Sequence, residues 1–335
     1  MKNIVILATG GTIAGAGELG KNIGYKSGSI KAQTLIDAIP ELKNVANICV
    51  EQVCNINSDD VTSEIWIALA KRIQELLLRD DVDGIVIMHG TDTMEETAFF
   101  LSLTLGGSAS KVAGKSEDCS SIVEKAAKPV IMTGSMRPAT AAEPDGPANL
   151  LFAVKGVVEM SAKNDATVYV AFAGKLMDAR LVQKIHANDL DAFAELSSRT
   201  SFRDRHLVNA KKSFDISNLR ELPRVTVLYF NADADAELVR FAAERSAGLI
   251  IAGAGAGEFS RAWADAITDA VAEKKIPVVI STRINRGSIV PEQLLVPETI
   301  AAYDLPPAKA AVLLRLALTI TNDPAAIQKF YQMYT

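Results

Sequence analysis

Seven short runs of apolar and β-branched residues punctuate this chain: Ile4–Leu7, Ile85–Met88, Val130–Met132, Thr167–Phe172, Val225–Phe230, Gly248–Ile251 and Pro277–Ile280. Between them lie stretches with apolar residues at helical spacing. Ile65, Leu69, Ile73 and Leu76 share one face, and Asp235–Ser246 and Ala262–Lys275 repeat the pattern. A strand that is apolar at every position must be covered on both faces, and interposed helices supply that cover only in a mostly parallel sheet. The fold class expected is therefore α/β. A larger N-terminal domain over residues 1–205 would carry a mostly parallel sheet in flavodoxin- or Rossmann-like layers, and a smaller α/β domain would occupy 223–335. The charged, strand-poor stretch RDRHLVNAKKSFDISNLREL contains the expected linker, 206–222, and a length of 335 residues suits two domains. Residues 106–128, rich in Gly, Ser and Lys, have the composition of a surface insertion.

With 49% hydrophobic and 22% charged residues, the chain has the composition of a packed globular protein, not a disordered one. Its 35 Lys and Arg against 40 Asp and Glu leave a formal charge of −5, which argues against nucleic acid or an anionic membrane surface as partner. No apolar run approaches the roughly 20 residues that span a bilayer. Met1-Lys2-Asn3 leads directly into the first predicted strand, so a cytoplasmic location is expected, with the periplasm as the alternative if a leader has been removed. Cys49, Cys54 and Cys119 are odd in number and suit reduced thiols.

The strand ends narrow the chemistry. Five run into small or polar residues: Ala8-Thr9-Gly10-Gly11-Thr12, His89-Gly90-Thr91-Asp92-Thr93, Thr133-Gly134-Ser135-Met136-Arg137, Gly253-Ala254-Gly255-Ala256-Gly257 and Ser281-Thr282-Arg283. In open α/β sheets ligands sit beyond the carboxyl ends of strands, near a topological switch point, so these turns suggest one polar small-molecule pocket. A dinucleotide is a poor fit, because Gly10-Gly11-Thr12-Ile13-Ala14-Gly15 lacks the G-x-G-x-x-G spacing. The later glycine-rich loop ends on Glu258, an anion where phosphate would be received, and neither loop carries a Walker lysine. His89, His186 and His206 are scattered and suit strand-end or surface positions better than a metal site. No G-x-S-x-G elbow is present.

Threonine chemistry remains. A threonine hydroxyl attacks only when something takes its proton, and a lysine near Thr91-Asp92 is a suitable acceptor. Thr12 in the opening loop, with Tyr25 a few residues on, offers a second hydroxyl across a bound carbonyl, and the turn N–H groups an oxyanion hole. Either triplet alone would more often be a structural turn or cap. Together with their flanks, "ILATGGTIAG" and "IVIMHGTDTMEETAFFL" resemble the two signatures of the bacterial-type L-asparaginases, including the glutaminase-asparaginases. The likeness continues through "NINSDDVT" (55–62), "KPVIMTGSMRPATAAEPDGPANL" (128–150), "VQKIHANDLDAF" (182–193), "IIAGAGAGEF" (250–259) and "LLRLALTITNDPAAIQKF" (313–330).

That resemblance implies hydrolysis of L-asparagine, with some activity on L-glutamine, and no cofactor or metal. It makes Thr12 the nucleophile, assisted by Tyr25, and Thr91, Asp92 and Lys184 a second catalytic cluster that activates water. It gives Gly11, Ser58, Asp59 and Ser135 to substrate binding, Ser58 at the α-carboxylate and the Ser135 backbone at the side-chain amide. It also implies a homo-oligomer, a tetramer with active sites at the close dimer interface, in which Glu292 or Glu298 is the acidic residue reaching a neighbouring subunit. Without the resemblance Lys184 would pass for a solvated surface charge, and the acidic pair in "MEET" for helix first-turn charges. The chain departs from the family pattern at Asp59, where Gln or Glu is common, and at Ala256, where Asn is frequent. Leu77 and Leu105 replace the disulfide of some secreted relatives. The rival readings are an ammonia-delivering amidotransferase-type subunit and a non-catalytic amino-acid-binding protein.

Overall fold

The computed structural model describes residues 1–21, 24, 26–105, 128–196 and 213–334. Most of the 106–128 insertion, the first part of the expected linker, and Cys119 and His206 thus lie outside the described residues. The chain forms two compact units, with residues 1–195 and 213–218 in the first and 219–334 in the second. Phe214 is buried, and its N–H donates to the Leu103 carbonyl in the first unit (2.9 Å).

The first unit contains, in chain order, β1 (Lys2–Gly10), α1 (Ala32–Asp37), α2 (Leu42–Val45), β2 (Ala46–Ile56), α3 (Ser63–Leu78), β3 (Gly84–Met88), α4 (Met94–Thr104), β4 (Val130–Thr133) and α5 (Gly146–Ala162). Four short strands follow: β5 (Val168–Phe172), β6 (Lys175–Asp178), β7 (Val182–Lys184) and β8 (Phe193–Glu195). Six strands make one sheet in the order β2-β1-β3-β4-β5-β6, parallel throughout except for β6 against β5. All five residues of β3 are buried, as a continuous apolar run at mid-sheet requires. Ile4, Ile6, Val86, Met88 and Ile131 pack with Leu150, Val154 and Val157 of α5 in one apolar cluster. Gly84 is needed there, because a Cβ on it would come within 2.4 Å of the Val157 side chain.

This strand order places a topological switch point between β1 and β3. The chain leaves β1 toward β2 on one side, then returns to add β3, β4 and β5 on the other. The two crossovers diverge there and leave an opening beyond the carboxyl ends of β1 and β3. β2 does not appear among the runs picked out from the sequence, for a physical reason. It is an edge strand paired only with β1, half-buried along its length, and its Glu51 and Gln52 interrupt the apolar pattern.

The second unit holds β9 (Val225–Tyr229), α6 (Glu237–Ala243), β10 (Gly248–Gly253), α7 (Arg261–Ala272), β11 (Val278–Thr282), β12 (Ile300–Ala301), α8 (Pro307–Ala317) and α9 (Pro324–Tyr334). Its sheet runs β12-β11-β10-β9, all parallel. The fully buried Trp263 anchors its own core with Leu249, Ile251, Ile267 and Ile280. Ser260 caps α7, its hydroxyl oxygen accepting from the Trp263 N–H (3.4 Å). Both units thus have the mostly parallel α/β architecture expected from the strand runs. No helix among the described residues is long and apolar enough to cross a membrane.

Candidate active site

The ends of β1, β2 and β3 converge at the switch point, the first and third of them bearing glycines. β1 finishes at Gly10, and Gly11 follows at φ 80°, in the left-handed region that favours glycine. A Cβ on Gly11 would lie 2.5 Å from the Cα of Gly90, the residue before Thr91. A Cβ on Gly90 would in turn lie 2.8 Å from the Ser58 side chain. Side chains at either glycine would push these three turns apart. Thr12, which opens the short 3-10 turn Thr12–Ala14, and Thr91 therefore each follow one of two touching glycines.

Around Thr91 the polar contacts are dense. The Lys184 ammonium donates to Thr91 Oγ1 (2.9 Å) and to Asp92 Oδ1 (2.6 Å). Thr91 is buried and the Lys184 side chain is only 14% exposed, whereas the Asp92 carboxylate is 69% exposed. The cation therefore spans a buried hydroxyl and a solvent-facing carboxylate. Ser58 is bound into the same cluster: its Oγ accepts from the Asp92 N–H (3.2 Å) and its carbonyl accepts from the Thr93 hydroxyl (2.7 Å). Asp59, next in the Ser58–Asp60 turn, is exposed. Ser135 is fully buried past the end of β4, its hydroxyl turned to the Arg137 carbonyl (2.8 Å).

Beneath this cluster lies a buried relay that the sequence did not announce. The Trp66 indole donates to Thr97 Oγ1 (2.8 Å), Thr97 Oγ1 lies 3.2 Å from His89 Nε2, and His89 Nδ1 lies 2.7 Å from the Gly90 carbonyl. Because the Gly90 carbonyl can only accept, Nδ1 carries the hydrogen, and Nε2 of the neutral ring then accepts the Thr97 proton. His89 is thus a buried strand-end residue, not a surface one. Burial holds its pKa down to about 4, so the ring is neutral and orients the peptide that carries Thr91. A comparable brace supports the turn after β4. Asp145 stands at the N-cap of α5 but, instead of capping that helix, accepts from the Met136 and Arg137 N–H groups (2.9 Å each). Asn149 adds a bond to the Gly134 carbonyl (3.0 Å).

The structure thus joins Thr91, Asp92, Lys184 and Ser58 by hydrogen bonds and brings Gly11 and Thr12 alongside through the Gly11–Gly90 contact. It leaves Ser135 on the adjacent strand end and Asp59 facing solvent. Tyr25 lies outside the described residues. Glu292 and Glu298 are both exposed on the second unit. Of the acidic pair in "MEET", both residues occupy the first turn of α4, but Glu95 does more than complement the helix dipole. Its carboxylate accepts from the Lys184 backbone N–H (2.5 Å) across 89 residues of chain. A Glu in a helix first turn carries no mark of such a reach, and Asp145 is equally cryptic. Among the described residues there is no group of three or more His, Cys, Asp or Glu placed to hold a metal ion.

With this geometry in hand, comparison with known proteins is specific. Residues 3–113 and 119–209 match the family model described as Asparaginase, N-terminal, and residues 224–331 match that of the Glutaminase/Asparaginase C-terminal domain. The chain is 39% identical to L-asparaginase 2 of Bacillus subtilis, aligned over 100% of this chain and 87% of that protein. It is 34% identical to a glutaminase-asparaginase of Pseudomonas fluorescens, over 100% of this chain and 91% of the other. Among solved structures, the probable cytoplasmic L-asparaginase from Campylobacter jejuni matches with a TM-score of 0.84 at 36% identity, each chain covered in full.

Proposed function

The chain belongs to the asparaginase family, and from that premise we propose that it hydrolyses the side-chain amide of L-asparagine to L-aspartate and ammonia, and L-glutamine more slowly. The observation that carries this reading is the Lys184 ammonium held between Thr91 Oγ1 and Asp92 at a switch point where Thr12 also emerges. In the proposed sequence the Thr12 hydroxyl attacks the amide carbon and loses its proton toward Tyr25, which passes it to the departing ammonia. The resulting ester on Thr12 is then opened by water. Thr91 takes that water's proton as its own passes to the Lys184 nitrogen, which releases one of its protons to Asp92, and a proton reaches the Thr12 oxygen as the ester opens. Backbone N–H groups of the glycine turns face the oxygen on which negative charge develops. Ser58 and Asp59 receive the substrate's α-carboxylate and α-ammonium, and Ser135 the leaving amide.

The reading includes a homotetramer whose sites are completed across the close dimer interface by Glu292 or Glu298 of a neighbouring copy. It also includes a cytoplasmic setting, which the free thiols Cys49 and Cys54 support. The division into domains at 205 and 223 belongs to the same proposal. The test is ammonia release, measured side by side with asparagine and glutamine, for the unsubstituted enzyme and for Thr12→Ala and Thr91→Val. Turnover of asparagine above that of glutamine, falling by about 10³-fold in each folded variant, is the expected result for groups that act only in the transition state. Near-normal turnover in either variant removes that threonine from the mechanism.

A further inference from the structure

β7, which carries Lys184, belongs not to the six-stranded sheet but to a separate two-stranded ribbon with β8. In that antiparallel ladder Lys184 pairs with Phe193, and the next residue, Ile185, donates its N–H to the Ala192 carbonyl (2.8 Å). N–H groups of successive strand residues point to opposite edges. The Lys184 N–H therefore points away from β8, and it needs another acceptor. Glu95 Oε2 is that acceptor.

Glu95 stands four residues after Thr91, in the first turn of the helix into which the Thr91 turn leads. A closed ring results. The chain runs from Thr91 to Glu95, the Glu95 carboxylate fixes the Lys184 backbone, and the Lys184 ammonium returns to Thr91 Oγ1. A long lysine side chain loses rotamer freedom when it is immobilised. Holding its backbone to the same helix that presents the hydroxyl reduces the number of positions from which the ammonium must find Thr91. The acceptor is a carboxylate, which makes the hydrogen bond charge-assisted and about twice as strong as a neutral one.

We propose that Glu95 is a positioning residue for the amide hydrolysis, setting the Lys184 ammonium against Thr91 by anchoring the Lys184 backbone to the first turn of α4. This inference rests on the role given to Lys184 above. Glu95 takes no proton from substrate or water and touches neither; it acts through Lys184.

The experiment compares Glu95→Ala and Glu95→Gln with the unsubstituted enzyme by steady-state ammonia release from asparagine. Aspartate affinity by calorimetry and melting temperature are measured beside it. A misplacement of about 1 Å in a reacting group costs up to about 100-fold in rate, so Glu95→Ala should lower kcat by roughly 30- to 100-fold. KM and the aspartate Kd should stay within about threefold, because Ser58 is bound to the Asp92 side of the turn and not to Glu95. Glu95→Gln keeps an acceptor oxygen at the same reach and should restore kcat to within about fivefold. A purely structural role would lower the melting temperature and leave kcat intact below the transition, and that outcome overturns the proposal. So does a Glu95→Gln variant as impaired as Glu95→Ala, or a loss confined to KM. If Glu95→Ala does not fold, Glu95→Asp, one methylene short of the Lys184 N–H, takes its place. A kcat lowered twofold or more with aspartate affinity unchanged supports the proposal, and an unchanged kcat overturns it. Lys184→Met, assayed in parallel, separates the two levels. If that variant turns over normally, the role of Lys184 itself is wrong; if it is inactive while Glu95→Ala is not impaired, only the positioning role fails.

Discussion

Asp59, one methylene shorter than the Gln or Glu that the family resemblance leads one to expect, is exposed beside a Ser58 that is bonded to the Asp92 backbone. A carboxylate there can still meet a substrate ammonium directly or through a water, which costs at most about 2 kcal/mol to immobilise. An exposed pair of this kind contributes about 1 kcal/mol, so Asp59→Ala should raise KM for asparagine roughly fivefold and change kcat less than twofold. Asp59→Glu should lower KM or shift the preference between the two amides. Saturation curves for both substrates test this, and an unchanged KM in Asp59→Ala places the residue outside the pocket. Single residues differed in how openly the sequence displayed them. Thr12 and Thr91 stand in glycine-flanked turns after apolar strands, a setting with a physical signature. Lys184 has none, since a lone lysine in a short polar stretch of sequence looks like a solvated charge, and only family resemblance singled it out. Glu95 and Asp145 were hidden because each bonds a backbone that no local pattern places next to it.

Among the elements, the fully buried strands were legible as continuous apolar runs, whereas β2 and the short β6, β7 and β8 were not. An edge strand needs only one covered face, and a three-residue ribbon has no room for periodicity. The turn between β3 and α4 illustrates what burial adds beyond pattern. His89 is held neutral there, its pKa near 4 against an ordinary 6.5, because desolvation disfavours the imidazolium. The sign follows directly. Above pH 6.5 neither the folded nor the unfolded state binds this proton. Between 6.5 and 4 the unfolded chain takes it up and the folded chain does not, so stability falls as pH falls through that window and levels off below it. At 1.36 kcal/mol for each pH unit, the loss is about 3 kcal/mol. His89→Asn removes this titration. Urea unfolding of both proteins at about pH 7 and about pH 4.5 should show the wild type losing stability more steeply, so that its advantage over the variant shrinks toward acid. Parallel losses in the two proteins would show that His89 takes up its proton in the folded state as readily as in the unfolded chain.

At the scale of the whole molecule, two mostly parallel-sheet units were expected from strand runs in both halves of the chain, and both are present; the structure adds a buried tryptophan in each. The proposed chemistry carries the proton of the attacking water through Thr91 and Lys184 to Asp92 and calls on no other group. Exhaustive dialysis against EDTA should therefore leave asparagine turnover unchanged; a loss reversed by added divalent ion would contradict the mechanism. The separation between Thr91 and Lys184 has a further consequence. Their hydrogen bond spans 93 residues. A ribosome adding about 5–20 residues per second needs roughly 5–20 seconds to deliver the second partner after the first. During that interval β1 and β3 can pair and the glycine turns can close, while the threonine waits without its lysine. The amidase is thus assembled in two instalments, with a nascent chain whose scaffold precedes its reactivity. A chain ended between residues 105 and 183 holds β1, β3 and the glycine turns but not Lys184, and it should not turn over asparagine.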